Sequence, residues 1–137
     1  MSLRIVLKPG EQLYIGSARV SVDSPSQTRL IIEGELPVVR ERDYLAVEKA
    51  NSTARKLYLV LQLAYLNSDF GSQRDEYFRL AGMLMSEKPA ASSYIVAINS
   101  RLGEQKLYAA LKEARALVQS DEGQTSSEAD SPQWDGL

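Results

Sequence analysis

The chain contains no cysteine and no histidine. Those two absences exclude disulfides, thiol nucleophiles, Cys/His zinc sites and imidazole acid–base chemistry from anything its own side chains do. Long hydrophobic runs are missing as well. No stretch approaches the roughly 18 uninterrupted apolar residues of a membrane span, and the N-terminus carries no long apolar signal core. A cytoplasmic protein without a membrane partner is expected. Neither a glycine-rich phosphate loop nor metal-ligand spacing is present, so no cofactor and no metal are expected. Glu33, Glu35 and Glu41 then read as a solvated carboxylate face rather than a catalytic pair. The chain is not expected to be an enzyme.

A strong charge of either sign is also lacking, since the net charge is −2. The average hides an asymmetry. Residues 1–60 hold nine Lys/Arg against seven Asp/Glu, residues 61–119 seven against six, and residues 120–137 none against five. The body is mildly positive and the end acidic, which permits a nucleic-acid partner without demanding one. With 137 residues, one small domain or two closely associated subdomains fit.

What is there begins with β pattern. Leu3, Ile5 and Leu7 alternate with Arg4, Val6 and Lys8. Glu11 to Ile15 alternate between the turn at Pro9-Gly10 and the permissive Gly16, while 18–22 and 28–32 are rich in β-branched residues around the turn formers Asp23-Ser24-Pro25-Ser26. Local connections predict four or five short antiparallel strands over 1–45. So small a sheet must be covered by helices or by another chain.

Helical periodicity takes over for 46–119. Thr53 to Leu66 is apolar nearly all round, as a central helix is, with Asn51, Ser52 or Thr53 available as its cap. Gly71-Ser72 opens a second helix that Lys88-Pro89 closes, and Ser92 or Ser93 opens a third that Gly103 breaks. Leu107, Ala110, Leu111, Ala114, Leu117 and Val118 mark a fourth. The fold class is therefore α+β: a small antiparallel β-subdomain, then about four helices. From 120 to 137 the composition is too polar to offset its ordering entropy, and a disordered acidic tail is expected, with Trp134 a docking residue or, more simply, an incidental aromatic.

Two family resemblances overlay this reading. Gly10-Glu11-Gln12-Leu13-Tyr14-Ile15-Gly16, followed by Leu36-Pro37-Val38-Val39-Arg40-Glu41, resembles the carbon storage regulator (CsrA) family of translational regulators over about residues 1–45. Leu7-Lys8-Pro9-Gly10-Glu11, the run from Ala54 to Leu66 and the helical C-terminal half resemble the FlbT family, from the start of the chain to roughly residue 119. The FlbT resemblance implies action on flagellin expression after transcription, through the untranslated leader of the flagellin messenger RNA. Repression is the usual outcome in that family, although activating members exist.

The CsrA resemblance implies that Arg40, at the end of the last strand, contacts RNA. Arginine suits such a role because its planar guanidinium stacks on bases and forks onto phosphates. The plainer alternative is a strand-end arginine paired with Glu41 or Asp43. CsrA proteins also use basic residues on the first strand; here Leu7 precedes Lys8, so only Lys8 and Arg4 supply them. Arg55 and Lys56 stand in the first turn of the central helix, where cations oppose the dipole and free amides offer a phosphate site. Glu48 or another carboxylate pairing with them is the alternative. Tyr14 and Tyr44 are the better base-stacking candidates, whereas Tyr58, Tyr65, Tyr77, Tyr94 and Tyr108 are expected in the core or a subunit contact. The partners expected are the flagellin messenger leader and a second copy of the chain as a homodimer. A rival reading is an assembly or secretion cofactor that binds flagellin or the small flagellar regulator FlaF without touching RNA.

Overall fold

Leu3, Ile5 and Leu7 alternate with Ser2, Arg4 and Val6 along strand β1 (Ser2–Leu7) of the computed structural model, which describes residues 2–123. Strand β1 pairs antiparallel with β4 (Thr28–Glu33), Ile5 opposite Leu30. Strands β2 (Gln12–Ile15) and β3 (Ala18–Ser21) form a hairpin closed by Gly16-Ser17, and β5 (Val38–Arg40) pairs with the other edge of β2. Gly16 sits at φ +56°, which a residue with a Cβ adopts at a cost. The five strands thus make two antiparallel sheets, β1-β4 and β3-β2-β5.

Period-two alternation explains how the second sheet is covered on both faces. Leu13, Ile15 and Val38 point to a small core with Ile5, Leu7, Leu30 and Ile32 of the first sheet. Their alternate neighbours Tyr14 and Val39 join the larger core made by the helices. Helices and the first sheet together meet the need for cover that the short strands impose.

The helices follow their sequence signals closely. Helix α1 (Thr53–Asn67) starts after Ser52, whose Oγ accepts the Arg55 amide hydrogen at 3.2 Å as an N-cap. Helix α2 (Arg74–Glu87) ends before Pro89, and α3 (Ser92–Gly103) ends at the expected glycine. Helix α1 packs against α2 and α4 (Leu107–Asp121), and α3 against α4. Leu57, Leu61, Ala64, Ile98 and Ala110 lose all solvent contact in this bundle, each large side chain contributing about 1.5–3 kcal/mol of transfer free energy.

The helix expected to be apolar all round carries a polar seam. Tyr58, Gln62 and Tyr65 recur at helical spacing along one face of α1, and each bonds to the backbone of β5 or of the segment that follows it. Tyr58 donates its hydroxyl to the Asp43 carbonyl at 2.6 Å. Gln62 takes both peptide groups of Leu45, accepting from its N–H and donating to its C=O at 2.9 Å each. Tyr65 does the same for Val38, accepting at 3.1 Å and donating at 3.4 Å. Burial pushes both phenols up from their ordinary value, so they stay protonated in neutral solution.

Helix α4 continues two residues beyond the expected stop at Gln119. Asp121 pairs with Lys88, and Glu122, just past the helix, forks onto Arg55 at 2.6 and 3.2 Å. Residues 120–122 therefore belong to the fold rather than to an acidic tail. Residues 124–137 of that expected tail, Trp134 included, lie outside the described residues.

Candidate nucleic-acid interface

Arg40 ends β5 opposite Leu13, half-buried, where strand alternation directs it to the same side as Val38. It lines two adjoining clefts. One, of about 880 Å³, lies between β1, the connection from β4 to β5, and the first turn of α4; Arg4, Leu3, Leu36, Tyr65, Lys106 and Tyr108 are among its walls. The other, of about 240 Å³, is lined by Arg42, Asp43, Tyr58, Lys112 and Arg115 together with Arg40 and Tyr108. Among the described residues six cations and two carboxylates line the pair. A chain of net charge −2 thus concentrates positive charge around one strand end.

Neither carboxylate expected to pair with Arg40 does so. Asp43 forms an ion pair with Arg115 at 2.7 Å, and Glu41 accepts from the Gln12 backbone N–H at 3.1 Å. Among the described residues no carboxylate lies within ion-pair distance of Arg40 or Arg4. Both arginines line the larger cleft, and Glu35 is the carboxylate residue that lines it with them.

The other sequence candidates divide. Lys8 stands in the turn after β1 and Lys56 is exposed on α1, and neither lines these clefts. Arg55 is 1% exposed and held by Glu122 and by the Lys49 carbonyl at 3.0 Å, so its charge is spent inside the fold. The phosphate site expected of the Arg55-Lys56 pair loses its first member for that reason. The carboxylate alternative holds, with Glu122 rather than Glu48 as the partner. Tyr44 is also engaged within the fold: its ring stacks on Tyr14 with centroids 3.6 Å apart and planes 5° from parallel, and both pack against the helical core. Each of the two expected platforms already covers a face of the other.

Tyr108, expected in the core or a subunit contact, is half exposed. Its ring leans on Tyr65 at 5.3 Å and 42°, and the Lys112 ammonium stands 5.8 Å from its centroid. It is the aromatic that borders both clefts.

Comparison with known proteins adds a family to this geometry. The model for the family described as "Flagellar protein FlbT" matches residues 3–124. The chain belongs to the FlbT family. The FlbT match takes in the whole of both sheets but for Ser2, all four helices and Glu122. Among curated relatives, "Probable flagellum biosynthesis repressor protein FlbT 1" of Bradyrhizobium diazoefficiens is 38% identical over 89% of this chain and 84% of its own length. A protein of Rhodopseudomonas palustris with a corresponding FlbT name is 34% identical over 89% of this chain and 96% of its own. "Flagellum biosynthesis repressor protein FlbT" of Caulobacter vibrioides is 23% identical over 89% and 88%. No solved structure gives a significant match.

Proposed function

We propose that this chain regulates flagellin synthesis after transcription, as a repressor, by binding the untranslated leader of the flagellin messenger at the cleft beside Arg40. The observation that carries the reading is that Arg40 and Arg4 line one cleft and that, among the described residues, no carboxylate, Glu35 of the same cleft included, lies within ion-pair distance of either. Membership of a family whose curated relatives are named flagellum biosynthesis repressors supports the biological setting. Occupying the leader would block ribosome access or mark the message for degradation. The chemistry is recognition, with no bond made or broken, so the chain acts as a regulator in the cytoplasm and not as an enzyme. No helix of the described residues is long and apolar enough to cross a membrane.

The test is binding of the purified chain to leader RNA, comparing Arg40→Ala with Lys56→Ala. Arg40→Ala should weaken binding roughly tenfold or more, while Lys56→Ala, away from the cleft, leaves it unchanged. Equal loss from both would move the site toward the start of α1.

A rival reading draws on the apolar part of the same cleft, where Leu3 and Leu36 remain 44% and 62% exposed. Such walls would also take a protein, flagellin or FlaF, and affect the message indirectly. Failure of the purified chain to bind leader RNA while it retains flagellin would decide for that reading.

The same reading includes a homodimer. The outer face of the β1-β4 sheet exposes Val6 and Ile31, and a two-stranded sheet has little stability alone. Sedimentation at tens of micromolar should show a dimer that Ile31→Glu converts to a folded monomer. A strict monomer for the unmodified chain would remove the claim.

A further inference from the structure

We infer that Tyr108 is a base-stacking platform and that the clefts beside it take an unpaired nucleotide, making the chain selective for single-stranded RNA. The inference rests on the proposed RNA-binding reading and adds to it a second wall, at the start of α4.

The ring is exposed yet positioned. Half of Tyr108 is accessible, while Tyr65 supports it from behind at 5.3 Å. Tyr65 is itself anchored by the two hydrogen bonds from its hydroxyl to Val38. An aromatic held this way loses little conformational entropy when a base stacks on it. Cations stand on either side of Tyr108 in sequence: Lys106, the residue before α4, lines the larger cleft, and Lys112 on α4 lines the smaller, its ammonium over the ring at 5.8 Å from the centroid. Arg40 borders both clefts from the strand side. A base face against the ring with phosphates toward Arg40, Lys106 and Lys112 uses every one of these groups.

Charge and shape select the occupant. An acidic peptide would satisfy the cations but has no need of an exposed ring set between them. Duplex RNA offers phosphates and keeps its base faces stacked inside the helix, out of reach of a ring bordering a cleft. Single-stranded RNA presents both base faces and phosphates, the combination that stacking platforms with flanking cations bind.

The experiment measures leader binding by the full chain and by Tyr108→Ala, Tyr108→Phe and Lys112→Ala, with the leader single-stranded or annealed to its complement. Tyr108→Ala should weaken binding roughly ten- to a hundredfold and Tyr108→Phe should restore it, because stacking needs the ring and not the hydroxyl. Lys112→Ala should flatten the slope of log affinity on log salt by roughly 0.7, and annealing the complement should abolish the tight binding. A fluorescent adenine analogue at unpaired leader positions should be quenched by the unmodified chain and not by Tyr108→Ala. If Arg40→Ala weakens binding while Tyr108→Ala leaves affinity and quenching unaltered, the platform is refuted and the RNA reading stands. Duplex bound as tightly as single strand also overturns the inference. So does a Tyr108→Ala defect seen only in flagellin capture. No leader binding by the unmodified chain would overturn this inference and the reading beneath it together. Thermal melting of Tyr108→Ala should match the unmodified chain; should it fall, Lys112→Ala and the single-strand preference still decide.

Discussion

Arg55→Ala is expected to destabilise the fold by about 3 kcal/mol, a drop in melting temperature of roughly 10 °C for a chain this size. Arg55 is 1% exposed, and its guanidinium meets both oxygens of Glu122 and the Lys49 carbonyl. Removing one member of a buried pair leaves the other's charge poorly solvated, which costs far more than an exposed ion pair contributes. The figure is placed at the low end of the range for buried pairs because the Glu122 side chain keeps 21% of its exposure. Two truncations make the same point from the other side. Deleting 120–137 removes Glu122 and the Asp121 partner of Lys88, and should lower the melting temperature by a similar amount. Deleting 124–137 keeps both and should cost much less. Equal melting temperatures for the two truncations, followed by circular dichroism, would show that the pair contributes nothing.

Gln62→Leu should be as damaging although it exchanges a polar side chain for an apolar one of similar volume inside a core. Gln62 is 1% exposed and satisfies the N–H and C=O of Leu45, itself without solvent contact. Its carboxamide stands in for a neighbouring strand. Without it two buried peptide groups lose their partners at about 1–3 kcal/mol each, and the gain in apolar burial offsets only part of that. Chemical denaturation should therefore show a loss of about 2–4 kcal/mol with little change in slope, because the surface exposed on unfolding is nearly the same. Stability equal to that of the unmodified chain would mean that water or a shift of the chain replaces the amide.

These two residues mark where the sequence stopped being legible. The alternation in β1, the turn at Gly16, the Ser52 cap and the breaks at Pro89 and Gly103 are local signals, and the elements follow them within a residue or two. Arg55 and Glu122 are separated by 67 positions and Gln62 and Leu45 by 17. Helical spacing says which way a residue points and not what it meets. Arg55 in a first helical turn therefore reads as a phosphate site until the end of α4 is placed beside it. Tyr14 and Tyr44 read as open platforms for the same reason, since nothing local shows that they stack on each other. At the candidate site the strand-end Arg40 and the first-strand Arg4 were recognisable from their resemblance to a known pattern. Lys106, Tyr108 and Lys112 were not, because only the tertiary arrangement carries the first turn of α4 to the end of β5.

The central claim is that recognition of the message is direct and passes through Arg40. The measurement that tests it most directly is a salt titration of leader binding by the purified chain and by Arg40→Ala, with an unrelated RNA of equal length as reference. The unmodified chain should bind the leader at physiological salt more tightly than the reference. If Arg40 holds a phosphate, Arg40→Ala should also flatten the slope of log affinity on log salt by roughly 0.7; if it reads a base, the preference for the leader should shrink at constant slope. Absence of leader binding by the unmodified chain, or identical affinity, slope and preference in Arg40→Ala, would contradict the account and leave a protein partner as the route to the message.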